Sequence, residues 1–489
     1  MHNVSRAMST QHPDNVTPPF FADSPVMEGE DEIREAFYVY SHLGCREQLW
    51  DCEGKQVDNF VVKKLLTKYP DYFSKKKLGK ENILSLRVPN PREERAEAKI
   101  LLEVLHSIPR SYDAARLFYG EDIAPVFEVF VPMATNSMDV ARVRQYYHKY
   151  VSGRQNDRLF PGDKKISDWI GDFGPEDIRV TPLIEDRDSM LRADQIVGEY
   201  LGKFPRQEYQ RVWLARSDPA LNYGSVSTVI YEKVALQRLH VMEEVLSTEL
   251  LPMLGCGSAP FRGNFKPQNA RENIKAYPSV QTFTLQSSFK YDNPERDVLA
   301  AVDCLNSTKR KKPLQVDEPK CLAIADRMAK RYEKEIVPLA GMINAMQSSV
   351  PSRRMRKLHI GLFGYSRSKK GITLPRAIKF TGSLYSAGLP PELLGLSAMK
   401  ERDKDRIADI YPSLESDIND AIRYLNPGNL KYFSPAIRKS MEKVCRLFPC
   451  EFDYEHNLAT SSIMRDFSKS GKALPDDVAR AAHIRGFLG

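Results

Sequence analysis

The fold class predicted for this chain is α/β: a (β/α)8 barrel of the TIM type carrying a mainly helical C-terminal extension. Three observations lead there. Short apolar runs, each closing on a polar or charged residue, recur through the first two-thirds of the 489 residues and alternate with helix-like stretches. The runs number eight, the count a closed parallel barrel requires. Past a basic, proline-containing stretch at 306–320 the strand-like runs stop and helical periodicity takes over.

In chain order the candidate strands are 6–11, 37–42, 83–87, 126–132, 178–185, 211–217, 260–263 and 282–287. Between them lie periodic segments at 137–151, 189–201 and 225–251, the last with Val226, Ile230, Val234, Val241 and Val245 on one stripe. This assigns 1–312 to the catalytic barrel and 313–489 to the extension. Within the extension, 321–346 keeps Ala325, Met328, Tyr332, Ile336, Leu339, Ile343 and Met346 in steps of three and four, a long helix disturbed at Pro338. Helical patterning returns at 375–386, 414–425 and 435–447. There is neither a fixed-period repeat nor a low-complexity tract.

Composition narrows the class. A 42% hydrophobic content at this length supplies a large core. Seven cysteines, an odd number without a CxxC pair, favour neither a disulfide framework nor a zinc ribbon and fit a reducing cytoplasm. Residues 1–25 are polar and proline-rich, without the apolar core of a signal peptide, and no run approaches the ~18 apolar residues of a membrane span. A cytoplasmic chain with no membrane partner is therefore expected. The net charge of +8 is modest, and the basic runs at 75–77, 309–312 and 353–357 are short, separated and free of interleaved aromatics. That argues against a nucleic-acid partner and suits a positively charged mouth for a phosphorylated small substrate.

In such a barrel the chemistry sits at the C-terminal strand ends. Those ends supply His12, Arg87, Glu185, Asp218 and Arg262. Two carboxylates on neighbouring strands suit a hard divalent ion, Mg2+ or Mn2+, that keeps waters and substrate oxygens as its other ligands. Arginines suit phosphate or carboxylate, because the planar fork binds either bidentately and stays charged. Taken singly, each has an ordinary alternative: a strand-end carboxylate also caps helices or pairs with a cation, and Arg87 or Arg262 can serve only to neutralise one. A glycine-bounded basic loop, Gly361 to Gly371 with Arg367, leads through Leu374-Pro375-Arg376 into a helix start, a geometry that holds phosphoryl groups and that also occurs on plain surfaces.

The segment Met8-Ser-Thr-Gln-His-Pro-Asp-Asn15 resembles the signature of archaeal-type phosphoenolpyruvate carboxylases, whose larger relatives carry Thr-Ala-His-Pro-Thr-Glu around a catalytic histidine. Further blocks follow in the family's order: Leu84-Ser-Leu-Arg87, Val180-Thr-Pro-Leu-Ile-Glu185, Ala215-Arg-Ser-Asp218, Pro260-Phe-Arg262-Gly-Asn264, the stretch 281–292, and the loop with Arg367 and Arg376. The resemblance implies a lyase that joins bicarbonate to phosphoenolpyruvate, giving oxaloacetate and phosphate through carboxyphosphate and an enolate. By that likeness His12 is the base, Arg87 and Arg262 are catalytic, Glu185 and Asp218 hold Mg2+ or Mn2+, and Arg262, Arg367 and Arg376 bind the phosphoryl group. A homotetramer is implied as well. A neutral imidazole titrating near ~6.5 suits the base role.

The chain also departs from the larger relatives. Where they have a glycine-rich His-Gly-Arg-Gly-Gly loop, it has Phe261-Arg-Gly-Asn264, so a second loop arginine falls to Arg271. Leu221 stands where their lysine follows the metal aspartate, and 484–489 holds no asparagine like the one that binds their aspartate inhibitor. Two other readings stay open at this stage: another metal-dependent barrel enzyme acting on phosphoenolpyruvate or pyruvate, and a basic RNA-binding scaffold.

Overall fold

The computed structural model describes residues 4–53, 58–95, 98–355, 372–449 and 451–489. Eight strands close into a barrel in sequence order: β1 (Ala7–Ser9), β2 (Glu47–Asp51), β3 (Ile83–Arg87), β4 (Glu128–Val131), β5 (Arg179–Ile184), β6 (Tyr209–Ala215), β7 (Glu249–Gly255) and β8 (Thr282–Leu285). Every pairing is parallel, and β1 against β8 shuts the ring, with Met8 opposite Thr284.

Alternation along the strands stacks the barrel interior in layers. The lowest is polar. Arg211 on β6 donates to Glu47 Oε1 at 2.8 Å and Glu128 Oε2 at 3.1 Å through Nη1, and to Glu47 Oε2 at 3.0 Å and Thr282 Oγ1 at 3.2 Å through Nη2. Ser85 and Thr181 donate their hydroxyls to the same two glutamates. Both carboxylates hold the Arg211 guanidinium well above its ordinary pKa despite its burial. Above this floor lies an apolar layer of Met8, Leu49, Phe130, Leu183, Trp213, Ala215 and Met253. Two residues further along β1, β2 and β5 stand Thr10, Asp51 and Glu185, polar again, and there the mouth begins.

Two expected strands are not strands. Residues 37–42 end a helix, Glu30–Ser41, that opens on Glu30, Asp31 and Glu32. Three acidic residues favour a helix N-terminus, and the aromatic run Phe37 to Tyr40 packs as a helical face in spite of its β propensity. The strand of that unit is Glu47–Asp51. Residues 260–263 begin with a single 3-10 turn, Pro260–Arg262, placed after β7. The strand itself, Glu249–Gly255, starts within the last three residues of the periodic stretch 225–251: the helix stops at Leu246 because Ser247 takes a left-handed conformation, φ 47°. Val226, Ile230 and Val234 are buried, whereas Val241 and Val245 are 58% and 72% exposed, so the expected stripe is not one face.

Residues 309–317 carry no regular structure, and the helix Glu318–Ile336 follows. It continues through a 3-10 turn at Val337–Leu339, the position of Pro338, into Ala340–Met346. This helix lies along Ser225–Leu246: Ser227 Oγ donates to the Ala325 carbonyl at 2.9 Å, and Tyr332 donates to the Leu221 carbonyl at 3.0 Å. One continuous apolar cluster therefore runs from the barrel helix Ser225–Leu246 into the extension. The remaining helices include Ala377–Ser386, Leu414–Ile422, Pro435–Leu447, Tyr454–Ser470 and Pro475–Arg485. After the last of these the chain returns to the barrel mouth, where Leu488 N–H donates to the Asp14 carbonyl at 2.9 Å.

Candidate active site

A cavity of about 370 Å³ opens at the C-terminal end of the barrel. His12, Arg87, Glu185, Asp218, Arg262 and Arg376 all line it, so one site takes in residues from five strand ends and the extension. Two of the expected residues are not placed there. Arg271 is exposed on the short helix Ala270–Ala276, because Gly263, at φ 125°, and the 3-10 turn Pro267–Asn269 lead the chain away from the mouth. Arg367 and the loop 361–371 lie outside the described residues.

His12 follows β1 and is held at both ring nitrogens. Its Nδ1 lies 3.0 Å from Thr10 Oγ1, and its Nε2 lies 3.5 Å from Arg87 Nη1. Thr10 donates its hydroxyl proton to the Leu285 carbonyl, at 3.4 Å, which leaves Oγ1 to accept from Nδ1–H. This favours the tautomer with its lone pair on Nε2, toward Arg87. Behind the histidine, Lys290 donates to Ser9 Oγ, the Thr10 carbonyl and Glu35, while Gln11 Oε1 accepts from Asp51 N–H. Arg354 pairs with Glu32 and Glu35. These ties fix the segment 9–12 on both sides.

Arg87, at the end of β3, is nearly buried, and Asp51 on β2 grips it bidentately, Nε to Oδ1 at 3.0 Å and Nη2 to Oδ2 at 2.6 Å. Glu53 Oε2 lies 3.2 Å from Nε. A planar fork held in this way presents Nη1 in a fixed direction. Asp51 and Glu53 escaped the sequence reading because β2 was sought at 37–42; the run Glu47-Gln-Leu-Trp-Asp51, with apolar Leu49 and Trp50 and a charged end, was the available signal.

Arg262 is wholly buried. Its Nε donates to Ser217 Oγ at 3.1 Å, Nη1 to Asp14 Oδ2 at 3.3 Å and the Gly489 backbone oxygen at 2.8 Å, and Nη2 to Gln286 Oε1 at 2.5 Å. These contacts engage four of its five N–H groups. Burial lowers its pKa and Asp14 opposes that shift. Gly257 permits the crowding: a Cβ there would meet Gln286 Oε1 at 2.7 Å and Asp14 Oδ2 at 3.1 Å.

Glu185 follows β5 and Asp218 lies in the first turn of the helix Ser217–Tyr223 after β6, so the two carboxylates come from adjacent strands and line one cavity. Among the described residues no group of three or more His, Cys, Asp or Glu forms a ready-made metal cage. Two carboxylates in an open cavity fit a hard divalent ion that completes its shell with water and substrate oxygens, and they do not fit a closed structural site. Arg376 directly precedes the helix Ala377–Ser386, with Lys379 in its first turn, and both line the cavity opposite the barrel.

Among the described residues no helix is long and apolar enough to cross a membrane, and Cys45, Cys52, Cys256, Cys304, Cys321 and Cys445 are free thiols. Residues 4–489 match the family model described as phosphoenolpyruvate carboxylase. The chain is 50% identical over 487 residues to a phosphoenolpyruvate carboxylase of Methanothermobacter thermautotrophicus, covering 99% of this chain and 100% of that one. It is 47% identical over 487 residues to that of Methanospirillum hungatei and 46% over 486 residues to that of Pyrococcus abyssi, again covering 99% of this chain and 100% of each relative. With the match running from the histidine segment to the last residue, this chain belongs to the phosphoenolpyruvate carboxylase family.

Proposed function

We propose that the protein carboxylates phosphoenolpyruvate with bicarbonate, releasing oxaloacetate and phosphate. The observation that carries the reading is the convergence of His12, Arg87, Glu185, Asp218, Arg262 and Arg376 on one cavity in a chain matched along its length by this family. Arg376 and Arg367 bind the phosphoryl group of the substrate, and Arg262, with one N–H beyond its buried contacts, adds to them. Bicarbonate oxygen attacks phosphorus, the bond from phosphorus to the enol oxygen breaks, and carboxyphosphate and the enolate of pyruvate result. Arg87 Nη1 holds the carboxyphosphate beside His12. Nε2 of His12 takes its proton, the carbon–oxygen bond to phosphate breaks, and the enolate carbon attacks the released CO2. A Mg2+ or Mn2+ ion held by Glu185 and Asp218 supplies, when bound, positive charge against the negative charge that develops on the enolate. Carboxyphosphate hydrolyses readily, so turnover requires that water be kept from it.

The enzyme works in the cytoplasm as a homo-oligomer, a homotetramer by likeness to the family. Exposed Leu159, Phe160, Trp169 and Ile170, grouped in one excursion before β5, favour a subunit interface. Light scattering tests the oligomer. The decisive assay for the reaction couples oxaloacetate to its reduction with and without bicarbonate and Mg2+. Phosphate release that continues without bicarbonate would point instead to a different phosphoenolpyruvate enzyme.

A further inference from the structure

Four arginines that line the cavity, Arg87, Arg216, Arg262 and Arg354, each hold a buried carboxylate. Arg353 lines the same cavity and makes no ion pair with any described residue. Its Nε and Nη2 donate instead to one neutral acceptor, the Val16 carbonyl, at 3.0 and 2.7 Å. That acceptor is fixed in turn, because Asp292, beyond β8, takes the Val16 and Thr17 N–H groups at 2.8 Å each. The Arg353 backbone is held as well: its carbonyl accepts from Met27 N–H at 3.0 Å, and the next residue is locked on Glu32 and Glu35. A guanidinium has five N–H groups, and the edge formed by Nε and Nη2 uses two of them. The end edge is left over, with one N–H on Nη1 parallel to one on Nη2, and that fork fits a planar oxyanion bidentately. Asp51 grips Arg87 along the corresponding edge and neutralises it, whereas Arg353 is gripped by a carbonyl and keeps its full charge in the mouth.

We propose that Arg353 binds bicarbonate: the free end of its guanidinium takes two oxygens of the planar anion and keeps hold of the same carboxyl group in carboxyphosphate until His12 takes the proton. The inference deepens the carboxylase reading and rests on it. Position favours this reactant over the carboxylate of phosphoenolpyruvate. Val16 stands in the loop after β1 that also carries His12, and Asp292 follows β8, so Arg353 docks on the side of the mouth that bears the base. Glu185 and Asp218, the carboxylates assigned to the metal and with it to the enolate, stand instead after β5 and β6. Burial lowers the Arg353 pKa and Asp292 opposes that shift, the situation of a half-buried cation that a bound anion would stabilise.

Kinetics of the intact enzyme test this. Arg353→Gln, which keeps an N–H donor and loses the charge, should raise KM for bicarbonate about tenfold or more at saturating phosphoenolpyruvate, the loss expected for a charge-assisted bidentate contact. KM for phosphoenolpyruvate should stay within about twofold. Arg353→Lys, which keeps the charge and loses the fork, should fall between wild type and Arg353→Gln. An unchanged KM for bicarbonate, or a rise confined to phosphoenolpyruvate, overturns the proposal. So does an equal loss of kcat in both variants with neither KM moved, the mark of a role in bracing the β1 loop alone. A second measurement avoids turnover. Phosphonoformate joins a phosphonate directly to a carboxylate and does not react, so calorimetry with Mg2+ should show its affinity about tenfold lower in Arg353→Gln, with that for methylphosphonate unchanged. Equal phosphonoformate affinities in wild type and variant also sink the proposal. Phosphate release independent of bicarbonate in wild type, beside the expected loss of phosphonoformate affinity, would instead remove the carboxylase reading, and bicarbonate with it, while the contact of Arg353 with a carboxylate stands.

Discussion

Arg211→Met removes the guanidinium of the barrel floor and leaves Glu47 and Glu128, 0% and 2% exposed, buried beneath the apolar layer without it. Breaking a buried ion pair from one side typically costs ~3–5 kcal/mol. Here two carboxylates lose the partner, and proton uptake sets a ceiling: moving a glutamate from its ordinary value near ~4.3 to neutrality at pH 7 costs about 3.7 kcal/mol each. A loss of ~4–7 kcal/mol at pH 7 follows, the upper figure applying when both glutamates take up protons. The sign with pH is fixed. In the variant the folded-state pKa values of the two glutamates are raised above the unfolded ones, so stability is greatest below about pH 4 and falls as pH rises. At pH 5 the deficit should shrink to about 1 kcal/mol per carboxylate. Thermal midpoints of wild type and variant between pH 5 and 8 measure it. The triple change Glu47→Gln, Glu128→Gln, Arg211→Met should recover most of the loss, because Ser85 and Thr181 still satisfy the amides. A deficit independent of pH, or a triple variant no better than the single one, would refute the argument.

His12→Asn should bind phosphoenolpyruvate with nearly unchanged affinity and form no oxaloacetate, since arginines hold the substrate and the base acts later; normal turnover would remove His12 from the mechanism. Glu185→Ala and Asp218→Ala should each weaken Mn2+ binding by at least tenfold in calorimetry, each deleting half the anionic charge offered to the ion; unchanged affinity in both would refute the assignment. His456, buried against Tyr424 and beside Arg485, is pushed down to about 3. Its folded pKa lies below the unfolded ~6.5, so its contribution is present above pH 6.5 and is lost as pH falls toward 3, about 2 kcal/mol by pH 5. The thermal midpoint of His456→Leu should therefore fall less between pH 7 and pH 5 than that of wild type, and equal slopes would exclude this histidine as the cause.

Strand ends were legible where an apolar run closed on a charge the mouth needs. β3 ends at Arg87 as read, Pro182 did not obscure β5, and the residues after β5 and β6 gave Glu185 and Asp218. What hid β2 and β7 was local chemistry favouring another structure. Phe37 to Tyr40 carries β-forming side chains in a helix whose acidic first turn decides the matter, and β7 follows a helix with only Ser247 and Thr248 between them. The misplacement of β2 also removed Asp51 and Glu53 from view, and with them the support of Arg87. Arg271 shows the converse: likeness to the larger relatives' loop pointed to a second loop arginine there, but it is exposed on the helix Ala270–Ala276 and does not line the cavity.

Arg262 ties Asp14, near one end of the sequence, to Gly489 at the other, with Ser217 and Gln286 between. On the ribosome these residues emerge in the order 14, 217, 262, 286, 489. The barrel strands are complete by Leu285, and helices pack on them as they follow. The guanidinium, however, waits through two hundred further residues for its Gly489 acceptor, and the Asp14 carbonyl waits equally for Leu488. A nascent chain halted in the extension would thus hold the barrel strands with a mouth that still lacks its Leu488 and Gly489 contacts.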